Sequence, residues 1–271
     1  MNAMLAQEWT QTPLSFPVYL QPKLDGIRCL VYQKDGKWVF QSRAGLIFQS
    51  FPHLEAALSH TDPNMVYDGE LYRHDLEFHQ ITSMVRKKNH IDLCQIQYHV
   101  YDVIQDGGFE QRWTSLSKAP LLLKDPLFRV ETVKAQSLEE VEAYHTACVE
   151  KGYEGIMIRT PGGKYKKGRS KDLLKYKHFK TDEFLVVGHA VGKGDIPVFV
   201  CETSTGMFSV MMKATLASKR EMLPRAEDYY GQWLTVKYQE LSPAGIPRFP
   251  VGIDFRQSRD GKTSVSVPNF I

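Results

Sequence analysis

Lys23 opens the run Lys23-Leu24-Asp25-Gly26-Ile27-Arg28, and a β-rich stretch follows at once. A lysine at a turn just ahead of a strand is placed to act as a nucleophile. Amine attack requires the uncharged form, and an ordinary lysine, with a pKa near 10.4, offers about one neutral molecule in a thousand at pH 7.5. Neighbouring cations or a bound metal would have to lower that value by about 2–3 units, or ~3–4 kcal/mol. Taken alone, the run describes a surface lysine before a glycine turn equally well.

Five further runs follow in order: Ser42-Arg43-Ala44-Gly45, Tyr67-Asp68-Gly69-Glu70-Leu71, Tyr98-His99-Val100-Tyr101-Asp102, Glu154-Gly155-Ile156-Met157-Ile158-Arg159 and Leu173-Leu174-Lys175-Tyr176-Lys177. Each could decorate a strand edge by itself, and each acid could serve a structural ion pair. The ordered set could hardly arise by chance. Lys175 and Lys177 alternate, so on a strand both point to one side while Tyr176 points to the other.

Charge is concentrated around the last of these runs. The whole chain carries +3, yet the segment 159–180 holds nine basic residues against the single acid Asp172, a net +8. Arg86-Lys87-Lys88 forms a smaller cluster. Such focusing suits a polyanion, although a solvated basic loop has the same pattern. Tyr165, Tyr176 and Phe179 are interleaved with the cations and could stack on bases.

Positioning these residues requires strands. Strand-like stretches cover 27–33, 37–42, 66–72, 96–104, 128–131 and 155–159. A helix starts at Ser137 with Glu140 at the capping-box offset, buries Val141, Tyr144, His145, Cys148 and Val149 on one face, and stops at Gly152. His145 reads as a packing residue. A second helix is expected over 76–87. After Thr181 the texture changes to short strands at 184–189, 198–203, 208–213 and 233–241, with a short helix at 217–223. This predicts an α+β fold in two domains, 1–180 and 181–271, the second a small β-barrel of OB type. Hydrophobic residues at 42% and charged residues at 24% are ordinary globular values. No run approaches 18 apolar residues, so no membrane span is expected. No signal peptide is visible, and four scattered cysteines suit a reducing cytoplasm rather than zinc or disulfides.

On these six runs the chain resembles the covalent nucleotidyltransferases, most closely the small ATP-dependent DNA ligases of viruses and bacteria. Val236 to Leu241 and Gly245 to Pro250 extend the resemblance into the barrel. It implies a nucleotidyltransferase (adenylation) domain of antiparallel sheets with flanking helices, followed by the OB-fold. It also implies a reaction: AMP passes from ATP to Lys23, then to a DNA 5′-phosphate, and the nick is sealed with release of AMP. By the same resemblance Arg28 would contact phosphate and Arg43 the nick. Glu70 would hold the ribose or a magnesium ion, and Glu154 would join the metal site, where manganese could substitute. Tyr101 would be the adenine platform, with Met157 on the other face. Lys175 and Lys177 would stabilise charge on the α-phosphate.

Arg86, Lys87, Lys88, Lys164, Lys166 and Lys167 complete the expected DNA contacts. The family's barrel motif, which orients pyrophosphate, has only an approximate match here, with Arg256 and Arg259 as candidates and Lys262 as a substitute. Clamp parts are expected in the strand 208–213 and the loop 214–225, with Lys219, Arg220 and Arg225. The implied partner is nicked duplex DNA, bound by a monomer in the cytoplasm, or in the host cytoplasm if the chain is viral. An RNA ligase or mRNA-capping-type enzyme would use the same chemistry. A non-catalytic OB-fold nucleic-acid-binding protein would need neither the lysine nor the acids.

Overall fold

The computed structural model describes residues 2–88, 90–118 and 123–257; Arg259 and Lys262 lie outside the described residues. The chain divides into two compact units, one running to Lys177 and one starting at His178.

The first unit contains β1 (Met4–Glu8), β2 (Val18–Pro22), β3 (Ile27–Lys34), β4 (Lys37–Ser42), α1 (Pro52–Leu58), β5 (Tyr67–Tyr72), α2 (Phe78–Arg86), β6 (Gln97–Val103) and α3 (Phe109–Ser117). It continues through β7 (Leu123–Lys124), β8 (Leu127–Arg129), β9 (Val133–Ala135), α4 (Leu138–Glu150), β10 (Gly155–Arg159) and β11 (Gly168–Lys177). These strands form two sheets, ordered β1-β11-β10-β2-β9 and β4-β3-β5-β6-β8-β7. The β3–β4 hairpin turns on Asp35 and Gly36, both at positive φ, as a two-residue primed turn requires.

Each sheet has its own core. Cys29, Val31, Phe40, Leu71, Tyr98 and Val100 pack with Leu54 and Leu58 of α1 and with Ile81, Met84 and Val85 of α2. Val18, Leu20, Ile156 and Ile158 pack with Val141 and Cys148 of α4. The α4 helix is capped by the Ser137 side chain, which accepts from the Glu140 amide. The carboxylate of Glu140 bonds the Gln136 amide, so the reciprocal half of the box is shifted by one residue. His145 is buried and stacked on Tyr176, as a packing residue should be.

The second unit contains β12 (Lys180–Gly192), β13 (Ile196–Glu202), β14 (Met207–Met212), α5 (Leu216–Met222), β15 (Trp233–Tyr238) and β16 (Val251–Arg256). Its strands close into a barrel in the order β12-β13-β14-β16-β15. In β14 burial alternates strictly, with Phe208, Val210 and Met212 inward. Within the expected clamp stretch 214–225, the short helix expected at 217–223 is present as α5, capped by the Thr215 hydroxyl, which accepts from the Ser218 amide at 3.1 Å. A mixed α+β unit followed by a β-barrel is the architecture that the sequence indicates.

Candidate active site

A cleft of about 350 Å³ lies in the first unit, lined from both of its sheets. Gln21, Lys23, Met157, Arg159, Lys175 and Lys177 come from the five-stranded sheet and its turn; Arg28, Glu70 and Tyr101 come from the other. Residues of β10 set the rows: Gly155 pairs with Lys177, and Met157 pairs with Lys175 on one side and Gln21 on the other. Two-residue periodicity therefore aims Met157 and Arg159 to the same side as those partners.

Lys23 is fixed through its main chain. Its amide donates to the Gly155 carbonyl at 2.9 Å, and its carbonyl accepts from the Glu154 amide at 3.1 Å. That register sets the Lys23 ammonium against the Glu154 carboxylate, whose other oxygen contacts the Lys177 ammonium. Two glycines make this approach feasible. A Cβ on Gly155, at φ 143°, would stand 2.2 Å from the Tyr176 carbonyl, and one on Gly26 would stand 2.5 Å from the Leu71 carbonyl. Burial works to raise the Glu154 pKa, but Lys23 and Lys177 outweigh it and hold the carboxyl below its usual range. Lys175 is lowered by loss of water and by the like charges of Lys177 and Lys23. The sequence anticipated a lysine among cations; the structure adds a carboxylate in direct contact with it.

Arg28 and Glu70 are cross-strand partners on β3 and β5. Arg28 is held by Asp68, donating from Nε at 2.9 Å and from Nη2 at 2.6 Å. Those two nitrogens are therefore engaged by a carboxylate rather than presented as a fork for phosphate. The Tyr101 hydroxyl donates to Glu70 at 3.3 Å. Loss of water pushes the Glu70 carboxyl up to about 7, although Lys23 and Arg28 pull it down. The expected metal ligands are thus both engaged by protein groups, and among the described residues no cluster of three or more His, Cys, Asp or Glu could hold an ion.

The other end of the cleft went unread in the sequence. Asp102 is fully buried between Arg112 and Arg159. Arg159 also donates to Gln21 at 2.7 Å, and Gln21 donates to the Tyr101 carbonyl at 3.0 Å. The available signal was Asp102, the one acid in β6, with Arg112 ten residues downstream.

The expected DNA contacts separate into groups. Arg43, Arg86 and Lys88 share a groove of about 900 Å³ with Arg28 and Glu70, whose apolar lining includes Ile47 and Phe48. Lys87, Lys164 and Lys167 are exposed, whereas Lys166 is paired with Asp172 at 3.2 Å. The three aromatic residues proposed for stacking are engaged elsewhere. The Tyr165 hydroxyl donates to Asp68 at 2.7 Å, Tyr176 packs on Trp9 and His145, and Phe179 is covered by the Lys237 ammonium at 4.2 Å. In the barrel, Arg256 pairs with Glu183 at 3.4 Å, Arg220 donates to the Gly194 carbonyl at 3.0 Å, and Arg225 pairs with Asp228 at 3.0 Å.

Comparison with known proteins matches residues 3–177 to the ATP dependent DNA ligase domain and residues 188–256 to the DNA ligase OB-like domain. A DNA ligase of African swine fever virus (isolate Pig/Kenya/KEN-50/1950) is 27% identical over 273 residues, covering 88% of this chain and 63% of its own. The chain thus spans under two thirds of the length of that relative. A DNA ligase of Haemophilus influenzae is 25% identical over 195 residues, covering 69% of this chain and 70% of its own. In fold, the chain is similar to a Lig E DNA ligase, with a TM-score of 0.78 at 22% identity over 94% of this chain and 99% of that one. It is also similar to Chlorella virus DNA ligase-adenylate, with a TM-score of 0.54 at 26% identity over 96% and 99%.

Proposed function

Because the chain belongs to the family of ATP-dependent DNA ligase domains, we propose that it seals nicks in duplex DNA by way of a lysyl-AMP intermediate on Lys23. In the first step Lys23 Nζ bonds the α-phosphorus of ATP and the bond to pyrophosphate breaks. In the second, a DNA 5′-phosphate oxygen takes the AMP and the N–P bond breaks. In the third, the 3′-hydroxyl oxygen attacks the 5′-phosphate and AMP leaves with its oxygen. The observation that carries this reading is Lys23, held by its own main chain against Glu154 in a cleft that also holds Lys175 and Lys177.

Glu154, in contact with the Lys23 ammonium and held in its charged form, fixes the position of the Lys23 nitrogen in the cleft. Lys175 and Lys177 offset negative charge as pyrophosphate and then AMP depart. Tyr101 and Met157, on opposite walls, hold the adenine, and Glu70 faces the ribose or a metal. Arg28, locked on Asp68, lends its positive charge to the phosphates with one terminal nitrogen. Two hard carboxylates, Glu70 and Glu154, fit magnesium held mainly by phosphate oxygens. When bound, that ion would neutralise polyphosphate charge. The groove running from Arg28 and Glu70 to Arg86 and Lys88 supports a DNA path leading to the same cleft, with Arg43 beside the nick. Arg256 is our choice among barrel residues for pyrophosphate orientation, after exchange of its Glu183 partner. A monomer and a cytoplasmic setting complete the reading, the second supported by the free cysteines.

Intact-mass measurement after incubation with ATP and magnesium tests the reading directly. A single AMP adduct is expected on the parent, discharged by nicked duplex DNA, and none on Lys23→Ala with an unchanged circular dichroism spectrum. Sealing by Lys23→Ala would overturn the mechanism. Parallel assays with nicked RNA and with GTP separate DNA ligation from RNA ligation and capping.

A further inference from the structure

We propose that Arg112, which lies outside the cleft, is a positioning residue for nucleotide binding that acts through Asp102 on Arg159 and Tyr101. This rests on the reading of the cleft as an ATP site. Arg112 sits on α3 with 1% of its surface exposed. Its Nε and Nη2 donate to the two oxygens of Asp102 at 2.8 and 3.0 Å, and its Nη1 donates to the carbonyls of Gly107 and Gly163 at 3.0 and 2.9 Å. Every guanidinium nitrogen is engaged. A planar fork can satisfy this set, whereas an ammonium offers three donors from one point.

The restraint passes inward. Asp102, so held, accepts from Arg159 Nη1 at 2.7 Å. Arg159 Nε donates to Gln21 Oε1 at 2.7 Å, which leaves the Gln21 amide nitrogen to donate to the Tyr101 carbonyl at 3.0 Å and to Thr132 Oγ1 at 2.8 Å. The chain of bonds closes on Tyr101, next to Asp102, whose ring has the Arg159 and Arg28 guanidiniums each at 5.7 Å. Without the Arg112 fork, Asp102 has Arg159 as its remaining cationic partner. The carboxylate can then rotate, and Arg159, Gln21 and the aromatic platform lose their common reference. Nothing in this network touches Lys23, so the chemical step itself should be spared.

The test measures ATP affinity by titration calorimetry, and Lys23 adenylylation rate against ATP concentration, for the parent and Arg112→Lys. We expect Kd and KM for ATP to rise about tenfold, with the rate at saturating ATP within about twofold of the parent. Unchanged Kd and KM, or a fall in the saturated rate alone, would overturn the proposal. Should Arg112→Lys fail to fold, Thr132→Val, which removes one acceptor of Gln21, is expected to raise KM about threefold, and an unchanged KM overturns the proposal there. A parent that binds ATP without forming an adduct would overturn the adenylylation reading while Kd still decides the role of Arg112. A parent that neither binds ATP nor forms an adduct overturns both.

Discussion

At the Lys23 end of the cleft one carboxylate, Glu154, is shared by two ammonium groups, and their side chains keep 13%, 20% and 15% of their surface in water. At the Tyr101 end one carboxylate, Asp102, is shared by two guanidiniums, and the corresponding exposures are 0%, 1% and 3%. The stoichiometry is identical and the consequence differs. Ammonium groups are compact charges on flexible stems that can exchange one anion for another. The guanidinium forks are directional and dry, and every nitrogen of Arg112 is bonded, so they hold a shape. The proposed reaction, which passes AMP between three partners, needs exchangeable charge where bonds break, and fixed charge where the nucleoside must stay put.

The largest effect should come from breaking the exchangeable end. Glu154→Gln is expected to slow Lys23 adenylylation by about 100-fold, in line with loss of the charge that positions the Lys23 nitrogen. Stability should move little, by ~1 kcal/mol, because the partners keep water. Single-turnover adduct formation, read beside a thermal melt, checks both halves. A normal rate would remove Glu154 from the chemistry.

Asp102→Asn should invert that pattern. It strands two buried guanidiniums against a neutral amide, and losing one partner of a buried ion pair costs about 3–5 kcal/mol. For a unit of this size the melting temperature should drop by roughly 10 °C. The folded protein should keep its adenylylation rate at saturating ATP within about threefold. If instead Asp102→Asn melts like the parent and fails in chemistry, the contrast between the two ends is wrong.

How much of this was legible in the sequence depends on the range of the interaction. The Lys23, Glu70, Glu154 and Lys175–Lys177 runs are short, and each sits on a strand or in the turn that leads into one, so residues from both sheets could be named before any contact was known. The hairpin at Asp35-Gly36 and the helix capped by Ser137 are local signals too. β2 was missed because all five of its residues are buried, which erases alternation. β1 was missed because its pairing partner, β11, lies some 160 residues away. Most of the Asp102 network was missed for the same reason: Gln21 and Arg159 are distant from Asp102 in sequence, and Arg112, ten residues downstream, was the one local cue. The aromatic residues among the lysines misled in the opposite direction, since composition does not disclose that Tyr165 reaches Asp68.

Glu70, between the two ends, gives the smallest effect and sharpens the comparison most. Its carboxyl is raised from 4.5 to about 7 in the folded chain, chiefly by loss of water. Below pH 4.5 the folded and unfolded chains both carry the proton, so the group costs nothing. As pH rises toward 7 the unfolded chain releases its proton first, and the folded state loses stability; above 7 the loss is complete, on the order of 3 kcal/mol. Glu70→Gln cannot ionise and should escape this loss. Urea melts of both proteins from pH 4 to 8.5 should therefore diverge, with the variant gaining relative to the parent between pH 4.5 and 7 and holding that gain above it. A constant difference across the range would place Glu70 with the exchangeable, water-accessible carboxylates at the Lys23 end. A divergence in that window places it with the dry ones, as an acid whose charge must await a cationic ligand.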